Sequence, residues 1–584
     1  MTDSFEVLER DGAARRGTLR LDEPIRTPAR VDEVVTDAGS RWHEKPADPN
    51  GNDSTLTVLP HRALPPGTQR SVAEAFAVDY PDVDYPSAAV VSPETADDHG
   101  ADAYVLAGAS GYAGHAEAFV DAVVRVREAI PDDTALYLSG VATPANVATL
   151  AYAGVDLVDE KRARARGLEG FYLTTDGEAF LADLDELPCA CEACRTPVDE
   201  FTRADCADHN ANALAAELAR VRYRIAEGRL RDYIEGQARH EAWLTATFRR
   251  LDQEYAYVEE RTPVFRRNEL LAATDDSLRR VEIQRFADRV TSRYRRRLDA
   301  PLVLVPCSAR KPYSDSQSHK QYSRAIEYRG HIVSMTSPIG VVPNELETTY
   351  PAQHYDSVVT GNWTATEIEF VAAVLERYLE RADYDRHIAH VPPEGYREIC
   401  ERVEDALGVE FEYTVSDHPT TDESLSNLDT ALDGESSYYK SERELATVRA
   451  IADFQFGDGA GDEVFDDEVT TESFYPKLRV RDGDGTHLAT MVPQYGTLSL
   501  TLDGARAWLD SDAPTKRVEI GGFVPSGSVL APGIVDADAE IRPGDEVVFE
   551  GPTAFGIGRA ECHGRAMVDS TRGVCIDVRH CEER

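Results

Sequence analysis

The sequence is short of lysine although it is rich in charge. Only seven of its 62 basic residues are lysines, at positions 45, 161, 311, 320, 440, 477 and 516, and 105 acidic residues give a formal net charge of −43. On an ordinary protein such an acidic excess would repel the phosphates of a nucleic acid. Dispersed Asp and Glu with little lysine are typical of halophilic proteins, which work in molar salt, where the Debye length is about 3 Å. The net charge therefore does not exclude an RNA partner, and each remaining lysine is either functional or a chance survivor on the surface.

The sequence also lacks any apolar run of the length that a membrane helix needs, about 18 to 20 residues. Its opening, MTDSFEVLERDG, contains neither the basic nor the apolar region of a signal peptide. We therefore expect a cytoplasmic protein. With 584 residues the chain is too long for one hydrophobic core, and with 42% hydrophobic residues it is too apolar to be disordered. Three to five folded domains are expected.

Strand-like and helix-like segments alternate in the first third of the chain. YVLAG at 104–108 precedes an amphipathic stretch, and LYLSG at 136–140 precedes another, which leads to VDLVD at 155–159. This order is typical of parallel β/α units and predicts a TIM-type barrel or a doubly wound sheet. Residues 209–298 are nearly free of Gly and Pro and are predicted to be mostly helical. Residues 1–298 thus form one domain with a helical extension.

Three further domains and a linker are predicted after residue 298. An apolar strand opens a second α/β domain at 299–415, and the acidic, serine-rich segment 416–440 is typical of a linker. Short strands separated by Gly, Pro and Asp turns predict two small modules at 441–512 and 515–584. The fold class is therefore multidomain α/β. No repeat period of 20 to 50 residues is present, which argues against a solenoid.

Three of the nine cysteines are closely spaced. Cys189, Cys191 and Cys194 form C-x-C-x2-C, and three thiolates this close can bind one tetrahedral Zn²⁺. The fourth ligand is either His209 or Cys206, and spacing alone does not decide between them. Four protein ligands predict a closed, structural zinc site. The alternative is a buried cysteine cluster without metal.

A second cysteine lies in a dense polar motif. The apolar strand LVLV leads into a loop in which a thiol, a lysine, hydroxyl groups and an imidazole occur together. A thiol near a cation becomes a nucleophile because its pKa falls, and a nearby imidazole can move protons. The alternative is a loop that binds phosphate through backbone N–H groups and the lysine. The residues alone do not rank the two hypotheses; the motif positions are Pro306, Cys307, Lys311, Pro312, Tyr313, Ser316 and His319.

The first domain resembles the archaeal tRNA-guanine transglycosylases. The resemblance is carried by FEVLERDGAARRGTL at 5–19, GVDLVDEKRARARGLEGFYLTTDGE at 154–178, LPCACEAC and the HN pair at 209–210. It implies a TIM barrel with an inserted zinc site, in which His209 is the fourth ligand. It also places Asp159 where the family has its nucleophile, although a strand-end carboxylate without a role is an equal alternative. The family's DSGGFQ-type segment is absent, since the matching zone reads LAGASGYAG at 106–114, and base exchange is therefore doubtful.

The cysteine motif resembles the signature of the archaeosine synthases, paralogues of those transglycosylases. Every fixed position of P-C-x3-K-P-Y-x2-S-x2-H is matched. The resemblance implies addition of an amino-group donor, lysine or glutamine, to the nitrile of 7-cyano-7-deazaguanine at position 15 in the D-arm of tRNA, with a radical-SAM partner protein acting afterwards. We expect Cys307 to attack the nitrile or shape its pocket, His319 and Tyr313 to move protons, and Lys311 to orient a carboxylate or phosphate. Ser316 completes the predicted catalytic set.

The carboxy-terminal residues resemble a PUA domain, a small RNA-binding pseudo-barrel. The matching stretches are 527–549, GIGRA at 556–560 and 572–580, and 441–512 resembles the small α+β module that precedes PUA in the transglycosylases. Glycines at turns allow close approach to RNA, and arginines neutralise phosphates. Without the resemblance, a generic small β-barrel is the alternative. The predicted RNA-binding residues are Gly527, Ser528, Gly533, Arg572 and Arg579.

These expectations leave two other functions open. One is an active tRNA-guanine transglycosylase that exchanges the base, and the other is a non-catalytic RNA-binding scaffold for a radical-SAM protein. Expected partners are tRNA and the free amino-acid donor, with no membrane partner. The nitrogen donor and the oligomeric state, a homodimer being one option, are not fixed by the sequence.

Overall fold

The computed structural model describes residues 4–42, 50–358, 362–474 and 477–584. The chain divides into two compact units. The first consists of Met1–Pro263, Ser528–Pro543 and Glu561–Cys575, and the second of Val264–Gly527, Gly544–Ala560 and Ile576–Arg584. No helix in the described ranges combines the length and apolar character required to cross a bilayer.

The amino-terminal part of the first unit contains short strands followed by longer helices. Its strands are β1 (Phe5–Asp11), β2 (Ala14–Leu19), β3 (Ile25–Thr27), β4 (Ala29–Arg30), β5 (Val35–Asp37), β6 (Leu56–Val58), β7 (Ser87–Val91), β8 (Ala103–Leu106), β9 (Ala135–Leu138), β10 (Leu157–Val158), β11 (Phe171–Thr174) and β12 (Gly177–Phe180). Its helices are α1 (Arg70–Ala75), α2 (Ala116–Ala129), α3 (Val147–Tyr152), α4 (Lys161–Glu169), α5 (Arg203–Ala226), α6 (Leu230–Gln237), α7 (Ala242–Gln253) and α8 (Tyr255–Arg261).

A seven-stranded parallel sheet forms the core of the first unit. Its order is β4-β10-β9-β8-β7-β6-β5, so the first strand of the series pairs with the last. The strands β7, β8 and β9 are buried on both faces, as parallel strands covered on both sides must be. This half-barrel sheet agrees with the predicted barrel-like domain.

Helix α5 is held in place by a close approach to α4. Gly167 of α4 lies against the backbone of Ala207, where an added Cβ would be 2.4 Å from the Ala207 Cα. The first turn of α5 is stabilised by a capping box between Thr202 and Asp205. These two features fix the position of His209, which lies in the second turn of α5.

The second unit consists of an α/β sheet and an antiparallel sheet. Its strands up to residue 520 are β13 (Leu270–Ala272), β14 (Leu302–Pro306), β15 (His331–Thr336), β16 (Gly340–Pro343), β17 (Tyr355–Ser357), β18 (His387–Ala389), β19 (Phe411–Tyr413), β20 (Thr470–Phe474), β21 (Lys477–Arg481), β22 (His487–Val492), β23 (Thr497–Leu500) and β24 (Arg517–Ile520). Its helices are α9 (Val281–Ser292), α10 (Gln317–Ile326), α11 (Ala365–Arg381), α12 (Tyr396–Leu407), α13 (Asp422–Ala431), α14 (Lys440–Phe456), α15 (Ala460–Val464) and α16 (Leu502–Asp510).

Strand β14 lies in the middle of a five-stranded sheet of order β16-β15-β14-β18-β19. All pairs are parallel except β15 with β16. The chain passes from β14 to β15 on one side and later to β18 and β19 on the other. The sheet therefore has a topological switch point between β14 and β18, and open α/β sheets bind their ligands beyond the carboxyl ends of the strands at such a point.

One continuous core of buried side chains joins the parts of the second unit. It includes the five-stranded sheet, helix α14, the antiparallel strands β21 to β23 and later residues such as Val548 and Ile557. Helix α9 contributes Ile283, Phe286 and Val290 to this core. The unit therefore begins at Val264 and not at the boundary near residue 298 that the run of helical sequence suggested.

The segment predicted as an acidic linker, 416–440, is folded. It contains α13, which is capped by the Thr421 side chain, and its Leu428 and Leu432 are buried with Val303 and Ile326. This corrects the linker prediction. The apolar residues of the segment are few, but they lie on one face of a helix and so suffice to attach it to the sheet.

The carboxy-terminal residues contain the strands β25 (Ser528–Leu530), β26 (Ile534–Ala537), β27 (Glu546–Glu550), β28 (Ala554–Ala560) and β29 (Val574–Glu583) and the helix α17 (Gly564–Asp569). In the second unit, β24 pairs in parallel with β27, and β27, β28 and β29 follow as an antiparallel series. Gly558 lies where an added Cβ would be 2.5 Å from the backbone oxygen of Asp577, so the close pairing of β28 and β29 requires glycine.

Candidate functional site

Three cysteines and a histidine converge in the first unit. The Sγ atoms of Cys191 and Cys194 are 3.6 Å apart, and they lie 3.6 and 3.2 Å from the Nδ1 of His209. Cys189 completes the group, whose four ligand atoms all lie within 4.8 Å of one another. Two thiolates that bind one tetrahedral zinc at about 2.3 Å are about 3.7 Å apart. The spacing of this cluster therefore fits a tetrahedral metal ion.

The histidine of the cluster is oriented by its neighbours. Its Nε2 donates a hydrogen bond to the backbone oxygen of Leu173 at 2.9 Å, which leaves Nδ1 directed at the thiols. The ring of Tyr172 stacks on the imidazole with centroids 3.7 Å apart. Such a carbonyl acceptor on the far nitrogen fixes the tautomer of metal-binding histidines.

Cys206, the other candidate for the fourth position, points elsewhere. It is fully buried, and its thiol donates to the backbone oxygen of Phe171 at 3.4 Å. Burial raises the pKa of this thiol to about 11, which disfavours the thiolate that a metal needs. The structure therefore places His209, and not Cys206, beside the three thiols.

Asp159 lies directly after β10, at the carboxyl end of the parallel sheet. Its carboxylate is fully buried and accepts hydrogen bonds from the Tyr137 hydroxyl at 3.0 Å, the Ser139 hydroxyl at 2.6 Å and the Gly140 N–H at 2.8 Å. The backbone N–H of Lys161 lies 3.3 Å away and its ammonium 3.1 Å away. A carboxylate enclosed by five donors is well suited to hold the loops at the strand ends together. These contacts would have to be rearranged before it could attack a ribose.

Cys307 lies at the switch point of the second unit's sheet. It follows β14, whose five residues are all buried, and its N–H continues the strand ladder by donating to Met335. Cys307 is partly exposed, and its thiol lies 3.4 Å from the hydroxyl of Tyr396. Tyr396 is the first residue of α12, the helix that follows β18, and β18 is the strand on the other side of β14. The thiol and the phenol thus meet across the crevice in which such sheets bind ligands.

The other groups around the thiol are a cation and aromatic rings. The Lys311 ammonium donates to the backbone oxygen of Tyr355 at 2.8 Å and lies 3.7 Å from the centre of that ring. Burial lowers the pKa of Lys311, and a charge on Cys307 acts in the opposite sense. Burial also raises the pKa of Tyr396, as does a charge on Cys307, so this phenol stays protonated and can donate to a thiolate. The ring of Trp363 lies 4.6 Å from that of Tyr396.

The remaining motif residues hold the loop. Ser316 caps α10 by accepting the N–H of His319 at 3.2 Å, and the His319 Nε2 donates to the backbone oxygen of Pro306 at 3.0 Å. The Tyr313 hydroxyl is buried against that of Tyr355 at 2.8 Å, and its ring stacks on His319. The His319 imidazole therefore contacts the backbone of Pro306, the residue before Cys307. The Cys307 thiol itself contacts the Tyr396 hydroxyl.

We predict a pH dependence of stability from two buried histidines of this domain, His319 and His390. Burial lowers the pKa of each to about 4, whereas an unfolded histidine titrates near 6.5. Between these values the unfolded chain binds protons that the folded chain does not, so stability must fall as the pH is lowered from about 6.5 to 4. Urea unfolding of the His319→Gln variant should show a shallower fall than the unchanged protein. The same substitution at the exposed His418 is the control, and equal slopes in all three proteins would contradict the prediction.

Tyr396, Tyr355 and Trp363 were not among the residues that the sequence predicted. A signal for Tyr396 exists, because an apolar strand at 387–389 is followed by the turn-forming HVPPEGY. In a parallel sheet, such a loop lies at the same edge as the loop after β14. To predict from this segment that Tyr396 lies near Cys307, one would have to know that β18 lies beside β14, and the sequence does not show the strand order.

Four of the predicted RNA-binding residues lie at turns or strand ends of the carboxy-terminal region, and Arg579 lies within β29. Gly527 has φ +88° and its carbonyl accepts the Val578 N–H, Ser528 begins β25, and Gly533 ends a short 3₁₀ turn. Arg572 lies in the turn before β29. Arg579 forms two hydrogen bonds with the Glu546 carboxylate, one of them 2.9 Å long. A phosphate at Arg579 would therefore have to compete with an internal carboxylate.

Four stretches of the chain match known family models. Residues 85–242 match queuine tRNA-ribosyltransferase and 283–432 match a domain of unknown function (DUF5591). Residues 446–514 match the patch-forming domain C2 of tRNA-guanine transglycosylase, and 522–581 match the PUA domain. The matches confirm the predicted transglycosylase-like and PUA folds.

Curated relatives match over the full length. A protein of Haloferax volcanii described as archaeosine synthase is 66% identical over all of both chains. The archaeosine synthase subunit alpha of Methanosarcina acetivorans is 41% identical, again over all of both chains. The tRNA-guanine(15) transglycosylase of Methanothermobacter thermautotrophicus is 28% identical, over 79% of this chain and 68% of its own. Identity is thus higher toward the first two proteins than toward this transglycosylase.

Proposed function

Because the chain belongs to the archaeosine synthase family and so modifies tRNA in archaeosine biosynthesis, we propose that it adds an amino donor to the nitrile of 7-cyano-7-deazaguanine at position 15. The product is an amidine. The observation that carries the proposal is the contact of the Cys307 thiol with the Tyr396 hydroxyl at the switch point of the second unit's sheet.

A nitrile carbon is electrophilic but reacts slowly with neutral amines, so it gains from covalent catalysis. In the proposed first step the Cys307 thiolate forms an S–C bond, and the nitrile nitrogen takes up a proton to give a thioimidate. The donor amine then attacks the same carbon, the C–S bond breaks, and the thiolate leaves as the amine loses a proton. No oxidant or reductant is required.

The surroundings of Cys307 support this chemistry. A charge on Cys307 raises the pKa of Lys311, so the Lys311 ammonium lies close enough to interact electrostatically with the thiol. The Tyr396 hydroxyl keeps its proton and lies close enough to the thiol to donate to it, and in the proposed reaction it would protonate the nitrile nitrogen. Trp363, whose ring is tilted against that of Tyr396, offers an aromatic surface for a flipped-out base.

We assign the other motif residues a positioning role in preference to proton transfer. The His319 imidazole is buried and bound to the backbone oxygen before Cys307, and Ser316 caps the helix that carries it. Tyr313 is buried beneath them. These contacts support a rigid loop that presents the thiol at a fixed angle.

We propose that the cysteine–histidine cluster of the first unit holds a structural zinc ion. Its ligands would be Cys189, Cys191, Cys194 and His209. All four positions would be filled by protein, which leaves no open position for a substrate. The observed link from His209 to β11 through Leu173 supports a role in joining α5 to that strand.

For the substrates we propose free lysine or glutamine as the donor, tRNA as the acceptor, and a radical-SAM protein acting on the product. The PUA match supports tRNA binding by the carboxy-terminal region, in which we propose Gly527, Ser528, Gly533, Arg572 and Arg579 as the contacts. The five donors around Asp159 support a structural role for this carboxylate and disfavour base exchange.

We expect purified protein to convert tRNA that carries 7-cyano-7-deazaguanine when a donor amino acid is supplied. Mass spectrometry of the nucleosides, after incubation with isotope-labelled lysine or glutamine in separate reactions, will show which donor enters. A second arm supplies labelled free base and unmodified tRNA. Label in that arm without conversion of the nitrile would indicate base exchange and contradict the proposal, and no reaction in either arm would favour a non-catalytic scaffold.

A further inference from the structure

A large cationic cleft lies in the second unit, apart from the residues around Cys307. Its volume is about 610 Å³, and it extends along α10 from Ser314 of the cysteine loop to Gly330 before β15. Five cations from three elements line it: Lys320 and Arg324 of α10, Lys440 and Arg443 of α14, and Lys477 of β21. Three of the chain's seven lysines are therefore found at one cleft.

Most of these cations have no carboxylate partner. Lys440 lies 3.3 Å from Glu444, but among the described residues no ion pair joins Lys320, Arg324, Arg443 or Lys477 to a carboxylate. Elsewhere in the same unit arginines such as Arg297 are paired with aspartates. In a chain of net charge −43, a group of unpaired cations creates a local positive field.

The carboxylates at the cleft do not cancel this field. Glu345 pairs with His331 at 2.9 Å, and Glu444 pairs with Lys440. Glu347 is occupied by the backbone N–H of Ser314 at 2.9 Å, and its burial raises its pKa, which favours the neutral form. Each acidic side chain at the cleft therefore already has a partner, and the four unpaired cations remain.

An exposed aromatic ring stands at the same cleft. Tyr328 is 49% exposed, and the Arg443 guanidinium lies 3.5 Å from the centre of its ring. Glu327 and Tyr328 both adopt positive φ, at 49° and 61°, in the turn that follows α10. The turn is fixed by the Ser437 hydroxyl and the Tyr438 N–H, which donate to the backbone oxygens of Glu327 and Tyr328. The structure thus holds the partly buried Arg443 guanidinium over a ring that is about half exposed to solvent.

We propose that this cleft binds an unpaired segment of the tRNA, with phosphates at the lysines and Arg324 and one unstacked base on the Tyr328–Arg443 pair. The inference rests on the proposed function, since it assigns a second contact surface for the same substrate. Unpaired cations attract a phosphate backbone, and aromatic rings with arginine planes stack exposed bases. A cationic donor such as lysine would be repelled from this cleft, which therefore does not suit the amino acid.

The charge part of the proposal is tested with two matched double variants. Arg324→Gln/Lys477→Gln removes two cleft cations, and Arg377→Gln/Arg402→Gln removes two exposed cations that do not line the cleft. Dissociation constants for tRNA are measured over a range of KCl in which both proteins stay folded. The cleft variant should bind about tenfold more weakly, with a salt slope reduced by about 1.4 to 1.8 for two lost phosphate contacts. The other variant should match the unchanged protein.

The stacking part is tested at Tyr328 itself. Tyr328→Ala should weaken tRNA binding about tenfold, whereas Tyr328→Phe keeps the ring and should bind normally. Alanine and phenylalanine both carry a Cβ, so the backbone strain of the positive φ at position 328 is the same in both variants. Equal binding by the cleft variants and their controls would overturn the proposal and leave an acidic protein as the occupant.

These measurements need no donor amino acid. They therefore remain decisive if nitrile conversion fails, and a failure of the cleft variants to differ from their controls would leave the proposed reaction at Cys307 untouched. Single-turnover conversion of the nitrile at saturating tRNA further separates the role of the cleft in tRNA binding from the reaction at Cys307. The cleft variants should convert bound tRNA at the unchanged rate.

Discussion

Replacement of Cys307 by alanine is expected to abolish conversion of the nitrile while leaving tRNA binding intact. Removal of a covalent nucleophile commonly costs three or more orders of magnitude in rate. Cys307 is partly exposed at a strand end and its thiol makes one side-chain contact, so we expect the alanine variant to fold. Single-turnover reactions with tRNA carrying the nitrile, followed by nucleoside mass spectrometry, measure the rate.

Two comparisons make this result specific. Cys400→Ala removes a fully buried thiol on α12 of the same domain and should leave the rate of nitrile conversion unchanged. Without donor, the unchanged protein should accumulate a covalent adduct with tRNA, which the Cys307→Ala variant should lack. Full conversion by Cys307→Ala would exclude the thioimidate and leave the loop as a binding site.

The second large effect is expected in the first unit. Cys194→Ser should release the metal, which we expect at about one zinc per chain, because serine is a poor zinc ligand. A structural zinc site contributes directly to folding. A loss of several kcal/mol would lower the unfolding midpoint by about 10 °C. Metal content is measured by elemental analysis and unfolding by calorimetry.

Cys206→Ala is the matched control for the metal site. This thiol lies one turn before His209 on α5 but contacts the backbone oxygen of Phe171. The variant should keep its zinc and lose only the packing of one buried sulfur. Loss of zinc from Cys206→Ala with retention in His209→Ala would show that the ligand assignment is wrong.

The sequence predicted each cluster but not its complete membership. The motif placed Cys307 at a strand end, and its neighbour Tyr396 is 89 residues away. Their contact depends on β18 lying beside β14, and strand order is a non-local property that no local pattern contains. The cysteine–histidine cluster shows the same limit at shorter range. His209 and Cys206 are both near the three cysteines in the sequence, and only the direction of each side chain separates them.

Composition misled the prediction in one place. Residues 416–440 are rich in Asp and Ser, yet Leu428 and Leu432 are buried beneath the sheet. Two leucines on one helical face outweigh the average polarity of the segment when a complementary apolar surface is available. The sequence does not show that surface, which is formed by Val303, Ile326 and Ile388.

The continuous core of the second unit has a consequence for how this protein can be handled. A fragment cut after residue 440 would bare the apolar surface on which α14 and strands β21 to β23 rest. Such a piece would tend to aggregate, since large exposed apolar patches promote association. The cysteine loop is therefore best expressed and crystallised together with all the segments of the second unit that form its hydrophobic core.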